Sequence, residues 1–306
     1  MGLTACRIAV LMFLVPAPAL SNQGFDVIVL GALGGIQDGN LSSFLIRPHG
    51  DRSAIACDAG SLVNGLKVAQ EKGVFRDVEV PAASTDSVVG HVLRNDIKGY
   101  LISHAHLDHV GGLVIASPDD SNKTIYSLPS VSAELEQHYF NWKAWPNMLD
   151  RGPQPQLKKY HLEDLKPGQR TDLAGTRMTV TPFRLNHAGS ESTAFLLESG
   201  EDALLCFGDT GPDDVQQASN LHDVWMAVAG KVKQKKLKAI ILETSYTSDR
   251  PDHLLFGHMT PRWVHRTLRL LDQEAGGNRS KGCPLWSATS SIHCPMSSRR
   301  TLFAWS

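Results

Sequence analysis

Three histidines and one carboxylate fall within six residues in Ser103-His104-Ala105-His106-Leu107-Asp108-His109-Val110-Gly111-Gly112-Leu113, just after the apolar run Tyr100-Leu101-Ile102. An alternating pair such as His104 and His106 on an extended segment points both imidazoles the same way. The turn that follows brings Asp108 and His109 back toward that face. Imidazole nitrogens and a carboxylate oxygen are the donors a zinc-like dication prefers. Two such groups, offset by a turn, suit two adjacent ions rather than one. A histidine-rich surface loop is the bland alternative. The apolar strand before the cluster and the Gly-Gly behind it weigh against that.

Elements on both sides must hold these groups in place. Before the cluster, Phe25–Gly31, Ser43–Ile46 and Ala54–Gly60 are β-rich runs punctuated by Gly34-Gly35 and Asp38-Gly39. Residues 61–98 read as helix and loop. Val131 to Trp145 carries Leu135, His138, Tyr139, Trp142 and Trp145 at helical spacing. Such a stripe is usually a packing face, and its other use would be to wall a pocket that stacks a purine. Beyond the Gly/Pro-rich connector 151–156, strands are expected at 178–183, 194–197, 203–207 and 237–243. Helices are expected at 215–236 and 260–275, the latter opened by Thr260-Pro261. Strands and helices alternating in two halves predict an α/β fold, an αββα sandwich of two mixed sheets flanked by helices.

The chain has 306 residues, 42% hydrophobic and 20% charged, with a net charge of −1. That is enough to bury a substantial core. The charge excludes a nucleic-acid binder held by long-range attraction, so a phosphate ligand must be held by metals and local groups. Arg7, the short apolar run Ile8–Val15 and the small residues Ala17-Pro18-Ala19 read as a signal peptide over residues 1–21. An exported protein, periplasmic or secreted, is the expectation. No later stretch is long and apolar enough for a membrane helix. Cys57 and Cys206 lie in apolar strand-like runs and read by default as buried free thiols; export leaves room for a disulfide.

The run Ser103–Pro118, S-H-A-H-L-D-H-V-G-G-L-V-I-A-S-P, resembles the class II 3',5'-cyclic nucleotide phosphodiesterases of the metallo-β-lactamase superfamily. It couples H-x-H-L-D-H to a following Gly-Leu and Ser-Pro. The resemblance spans about Phe25 to Leu285. It implies metal-dependent hydrolysis of 3',5'-cyclic nucleotides, cAMP and also cGMP, to 5'-monophosphates. His187, in Asn186-His187-Ala188-Gly189, and Asp209, in Gly208-Asp209-Thr210-Gly211, match the superfamily's later metal motifs. The implied ligand set puts His104, His106 and His187 on one ion. Asp108, His109 and a last histidine hold the other, and Asp209 bridges. Gly34-Gly35 and Asn40-Leu41-Ser42 also match the family, which makes Asn40 and Ser42 candidate substrate contacts.

Two divalent ions, zinc foremost, would hold a bridging hydroxide at neutral pH as the nucleophile. Asp108 is then both ligand and catalytic group. His258, in Gly257-His258-Met259-Thr260-Pro261, is the candidate to protonate the leaving 3' oxygen. The alternative functions are another hydrolase of this fold, acting on a different phosphodiester, a thioester or a lactam, and an inactive truncated product.

That last alternative comes from the tail. The domain reads as residues 22–285, and 286–306 as a frameshifted tail, so the fold is expected to lack its C-terminal strand and helix. Trp286–Ser291 can be written TGG TCA GCC ACA TCA AGC. One G restored in front gives Val-Val-Ser-His-Ile-Lys, an apolar strand ending in the missing histidine. His293 or His258 would otherwise take that ligand's place.

Overall fold

A computed structural model describes residues 24–35 and 37–277, together with the backbone of 299–304. The first sheet holds β1 (Phe25–Gly31), β2 (Ser43–Pro48), β3 (Ala54–Ala59), β4 (Ile97–Leu101), β5 (Lys123–Ser127) and β6 (Tyr160–Asp164), in that spatial order. The second holds β7 (Thr171–Asp172), β8 (Thr179–His187), β9 (Ser190–Ser199), β10 (Asp202–Phe207), β11 (Leu237–Thr244) and β12 (Arg299–Ala304), again in sequence order across the sheet. Both sheets are mixed. β1–β3 pair antiparallel and β3–β6 parallel, while β10 and β11 are a parallel pair within an otherwise antiparallel sheet.

The layers follow from the period of two along each strand. In β10, Leu204 and Cys206 pack into a core shared with the first sheet. Their neighbours Ala203, Leu205 and Phe207 pack into a second core on the outer face. β11 divides the same way, with Ala239 and Ile241 against Ile240 and Leu242. The outer core is closed by α6 (Asn220–Lys233) and α7 (Pro261–Glu274) through Val224, Trp225, Val264 and Leu268. On the other flank, α1 (Val63–Glu71) and α3 (Leu107–Ala116) cover the first sheet through Leu66, Val110 and Leu113. The short α2 (Val88–His91), α4 (Pro129–Glu134) and α5 (Asp213–Gln216) complete the set. This is the expected αββα sandwich.

Strand direction decides where chemistry can sit. β8, β10 and β11 run the same way, so His187, Asp209 and Glu243 emerge at one edge of the second sheet. β3 and β4 are likewise parallel, and deliver Asp58 and the His104 segment to one edge of the first. Loops at the carboxyl ends of such strands are the usual seat of function in α/β folds.

Three expectations are corrected. The stripe Val131–Trp145 is not one helix: α4 passes into a wider turn at Leu135–Tyr139 and ends at Phe140. The side chain of Asn141 stops it by accepting from the backbone N–H groups of Lys143 and Ala144. The helix expected over Val215–Lys236 is broken at Gln217, which is left-handed (φ 51°). Asp213 then caps the restart by accepting from the N–H groups of Leu221 and His222. Lastly, Cys57 and Cys206 are not free thiols. They form a disulfide that joins β3 to β10 across the sandwich, with their Cα atoms 6.8 Å apart.

The tail gives a fourth difference. The second sheet does carry a strand after α7, β12, antiparallel to β11. A bare β11 would leave a row of unpaired backbone groups, so its edge is a template for any extended segment that follows. The leader 1–21, the remaining tail residues 286–298 and 305–306, and with them His293, lie outside the described residues.

Candidate active site

The cluster sits where the two sheet edges face each other. His104 and Ala105 follow β4, His106 stands just before α3, and Asp108 and His109 occupy its first turn. The turn expected after the histidine pair is thus the start of a helix. Gly60 and Gly112 let this helix start press on the end of β3: a Cβ on Gly60 would lie 1.9 Å from the Asp108 carbonyl oxygen, and one on Gly112 would lie 2.6 Å from the Leu62 nitrogen. The Gly112 N–H donates to the Gly60 carbonyl at 2.9 Å. Two glycines therefore set the depth of the ligand-bearing turn.

Six of the predicted ligands and His258 come together here. One nitrogen each from His104, His106 and His187 lies within 4.8 Å of the others. The same holds for His104, His109 and Asp209, and for His187, Asp209 and His258. His109 Nε2 is 3.3 Å from Asp209 Oδ2 and 3.7 Å from Asp108 Oδ2. Asp209 thus stands among groups from both sheets.

The surroundings fix each imidazole. His187 Nδ1 donates to the Gly257 carbonyl at 2.9 Å. His109 Nδ1 donates to Asp58 Oδ2 at 2.7 Å, and Asp58 also accepts from the Ser103 hydroxyl and the Ser103 N–H, both at 2.9 Å. Such carboxylate–histidine pairs orient metal ligands and raise their basicity. His258 Nδ1 lies 2.9 and 3.0 Å from the two oxygens of Glu243, and 3.8 Å from Asp209 Oδ2. Glu243 is fully buried and accepts from the Thr210 N–H at 2.9 Å.

Protonation follows the same charges. Burial and the neighbouring His109 hold His104 well below the usual imidazole range, with Asp209 opposing. His106 is lowered by burial and by His187. Burial also opposes charge on His109, but Asp209 and Asp58 outweigh it and push its pKa up to about 10. Burial works against His258 too, and Glu243 and Asp209 raise it to about 9. The site therefore favours positive charge between its carboxylates, yet His104 Nε2 is buried with no hydrogen-bond partner. A buried imidazole nitrogen with no hydrogen-bond partner, grouped with Asp209, fits a divalent cation.

The class II cAMP phosphodiesterase family model matches residues 25–302. This chain belongs to that family. A 3',5'-cyclic-nucleotide phosphodiesterase of Aliivibrio fischeri is 47% identical over 273 residues, covering 88% of this chain and 83% of that protein. A probable one of Yersinia pestis is 44% identical, covering 87% and 78%. Among solved structures, unliganded yeast PDE1 superposes with a TM-score of 0.72 at 25% identity, covering 84% of this chain and 85% of that one. The metallo-β-lactamase fold protein YhfI of Bacillus subtilis, at 18% identity and a TM-score of 0.51, shares the fold over 83% of each chain.

Within this class II chain the remaining candidates are placed as follows. Asn40 is exposed, but its side-chain oxygen accepts from the Ala32 N–H at 3.1 Å, which closes the loop after β1. Ser42 is buried. The loop itself reaches the site, since the Gly35 N–H donates to Asp108 Oδ2 at 3.0 Å. The stripe is divided: Leu135 is core and Trp142 is exposed, while Tyr139 donates its hydroxyl to the Ala105 carbonyl at 2.6 Å. Sequence reasoning missed Asp58, Ser103 and Glu243. For Glu243 the signal was a lone carboxylate closing the apolar strand Ala239-Ile240-Ile241-Leu242.

Proposed function

We propose that this chain hydrolyses 3',5'-cyclic nucleotides, cAMP and also cGMP, to 5'-monophosphates, using two divalent ions held by the cluster. The observation that carries the reading is the convergence of His104, His106, His109, His187 and Asp209 in a chain of the class II family. When bound, two such ions lower the pKa of water and neutralise phosphoryl charge. The imidazole-rich donor set favours zinc.

The protein's own groups do the rest. His106 is exposed while His104 and His109 are buried, so substrate approaches from the His106 side. Asp58 and the Gly257 carbonyl hold His109 and His187 at fixed tautomers, each with Nε2 turned to the cluster. His258, protonated at neutral pH and committed to Glu243 through Nδ1, has Nε2 left to protonate the departing 3' oxygen. Asn40 and Ser42 are proposed to act on substrate through the loop they hold, which reaches Asp108 by way of the Gly35 N–H.

The disulfide Cys57–Cys206 supports export, because such bonds persist in oxidising compartments such as the periplasm. With residues 1–21 as leader, the mature domain works outside the cytoplasm. Incubation of the zinc-loaded protein with cyclic nucleotides, a thioester and a lactam tests the activity. Turnover of the thioester or lactam with none of cAMP would end this reading.

A further inference from the structure

Phe256 is 59% exposed and belongs to the loop that carries Gly257 and His258 into the site. It stands in a loop pinned at both ends, since the flanking Leu255 and Met259 are buried in the outer core at 1% and 0% exposure. Its backbone is left-handed (φ 48°), a conformation that is strained for a non-glycine residue and persists only where the surroundings impose it. The imposition is visible one residue on. A Cβ on Gly257 would lie 2.4 Å from the Ala188 nitrogen and 2.8 Å from His187 Nδ1, so this loop lies directly against a metal-ligand candidate. Phe256 is therefore one residue from contact with His187 and two from His258.

A chain of stacked groups leads outward from the site to this ring. His258 and Tyr246 meet edge to face with centroids 5.8 Å apart. The Arg250 guanidinium lies 4.4 Å from the Tyr246 ring centre and 5.9 Å from that of Phe256. Its Nε donates to the Leu254 carbonyl at 3.1 Å, which holds it in the loop. Leu107, between the ligand candidates His106 and Asp108 in sequence, is a further exposed apolar side chain, at 65%. A nucleotide has just these two needs: an anionic phosphodiester at a metal cluster, and a flat apolar base within one sugar's reach of it. Aromatic faces stack any base and need no hydrogen-bond readout.

We infer that Phe256 is the platform on which the base of the bound nucleotide stacks, making it a substrate-binding residue of this site. The inference rests on the phosphodiesterase reading. It explains why the loop that braces His187 and His258 also projects an aromatic ring into solvent. It also gives a stack indifferent to base identity, which suits both cAMP and cGMP.

Calorimetric titration of the zinc-loaded protein with AMP and with ribose 5-phosphate tests it, in wild type, Phe256→Ala and Phe256→Trp. Phe256→Ala should weaken AMP by about 5- to 150-fold, the loss that one base–aromatic stack brings, and leave ribose 5-phosphate within about twofold. Phe256→Trp should restore AMP binding. An equal loss for both ligands, or no loss for AMP, overturns the platform. A wild type that binds neither overturns the platform and the site reading together. Turnover of cAMP is scored on the same preparations. A wild type that shows the expected binding pattern yet hydrolyses no cyclic nucleotide would remove the phosphodiesterase reading and leave the platform standing.

Discussion

Both carboxylate oxygens of Glu243 face His258 Nδ1, at 2.9 and 3.0 Å, although the two residues stand on opposite sides of a 14-residue excursion at the end of β11. Glu243 is fully buried and His258 only partly so, and the pair thus joins the rigid strand to the loop that reaches the metal cluster. A positioning residue of this kind acts through the histidine it holds. Glu243→Gln keeps an acceptor for the Thr210 N–H but loses the charge that fixes His258. It should lower kcat for cAMP by about 10- to 100-fold with KM and bound metal unchanged. Metal loss in step with activity would instead make Glu243 part of the metal support.

Metal dependence is the next expectation. His106→Ala and Asp108→Ala should abolish turnover and lower bound metal while the circular dichroism of the sheets is kept, because His106 is exposed and Asp108 only half-buried. Asp58→Ala leaves every ligand in place but frees His109 Nδ1, and should weaken metal binding by about 10- to 100-fold. Dialysis against a chelator should remove activity, and zinc or manganese should restore it. Full activity in metal-free protein would refute this account.

How much of this was legible in the sequence depends on distance along the chain. The His104–His109 turn was readable because its ligands are local and their spacing alone fixes a shared face. His187 and Asp209 are single residues at strand ends, and only their order after the first motif marked them. Asp58 and Glu243 were not found, because their partners are 51 and 15 residues away and no local pattern distinguishes a buried carboxylate from a strand-end charge. The disulfide was missed for the same reason: Cys57 and Cys206 are 149 residues apart, and only the packing of two sheets makes them neighbours. Asn141 and Gln217 interrupt expected helices because side-chain bonding and a left-handed backbone override apolar periodicity there.

The disulfide should carry measurable stability. It closes a loop spanning 149 residues and joins the sheets beneath Asp58 and Asp209. Loop-closure entropy alone gives about 5 kcal/mol for a loop this long, and such bonds typically deliver about 2–4 kcal/mol. Cys57→Ala with Cys206→Ala should lower the denaturation midpoint accordingly, and reductant should then leave the double variant's midpoint unchanged. A double variant as stable as the oxidised wild type would show that the bond adds nothing.

A pH-dependent contact lies on the first sheet, away from the cluster. His161 Nδ1 pairs with Asp150 Oδ2 at 2.5 Å, and this hydrogen bond raises the His161 pKa while Asp150 is lowered. For a raised histidine the added stability is full below its unfolded pKa and is lost as pH rises through the folded one. For the lowered aspartate it is present above the unfolded pKa and lost as pH falls. The pair is therefore strongest between the two ranges, on the mildly acidic side of neutral. With His161 more than half exposed, solvent screening keeps the gain under about 0.5 kcal/mol. Proton NMR of the His161 ring should show its midpoint above about 6.5, and Asp150→Asn should bring it down. An unchanged midpoint in that variant would dismiss the pairing.

The last prediction concerns the residues after Leu285. We propose that a single lost nucleotide before the Trp286 codon displaced Val-Val-Ser-His-Ile-Lys, whose histidine would complete the second ion's ligands. Among the described residues His258 is the histidine that accompanies His187 and Asp209 within 4.8 Å, so a shortfall requires that it keep its role beside Glu243 and not complete the ligands. A ligand fewer means weaker binding at one of the two positions, and metal analysis should find about one tightly held ion per chain as given. Restoring the nucleotide should raise this to about two and increase turnover of cAMP. Sequencing the DNA at the Leu285 codon checks the origin directly. An unshifted reading there, with two tightly bound ions in the protein as given, would defeat the proposal.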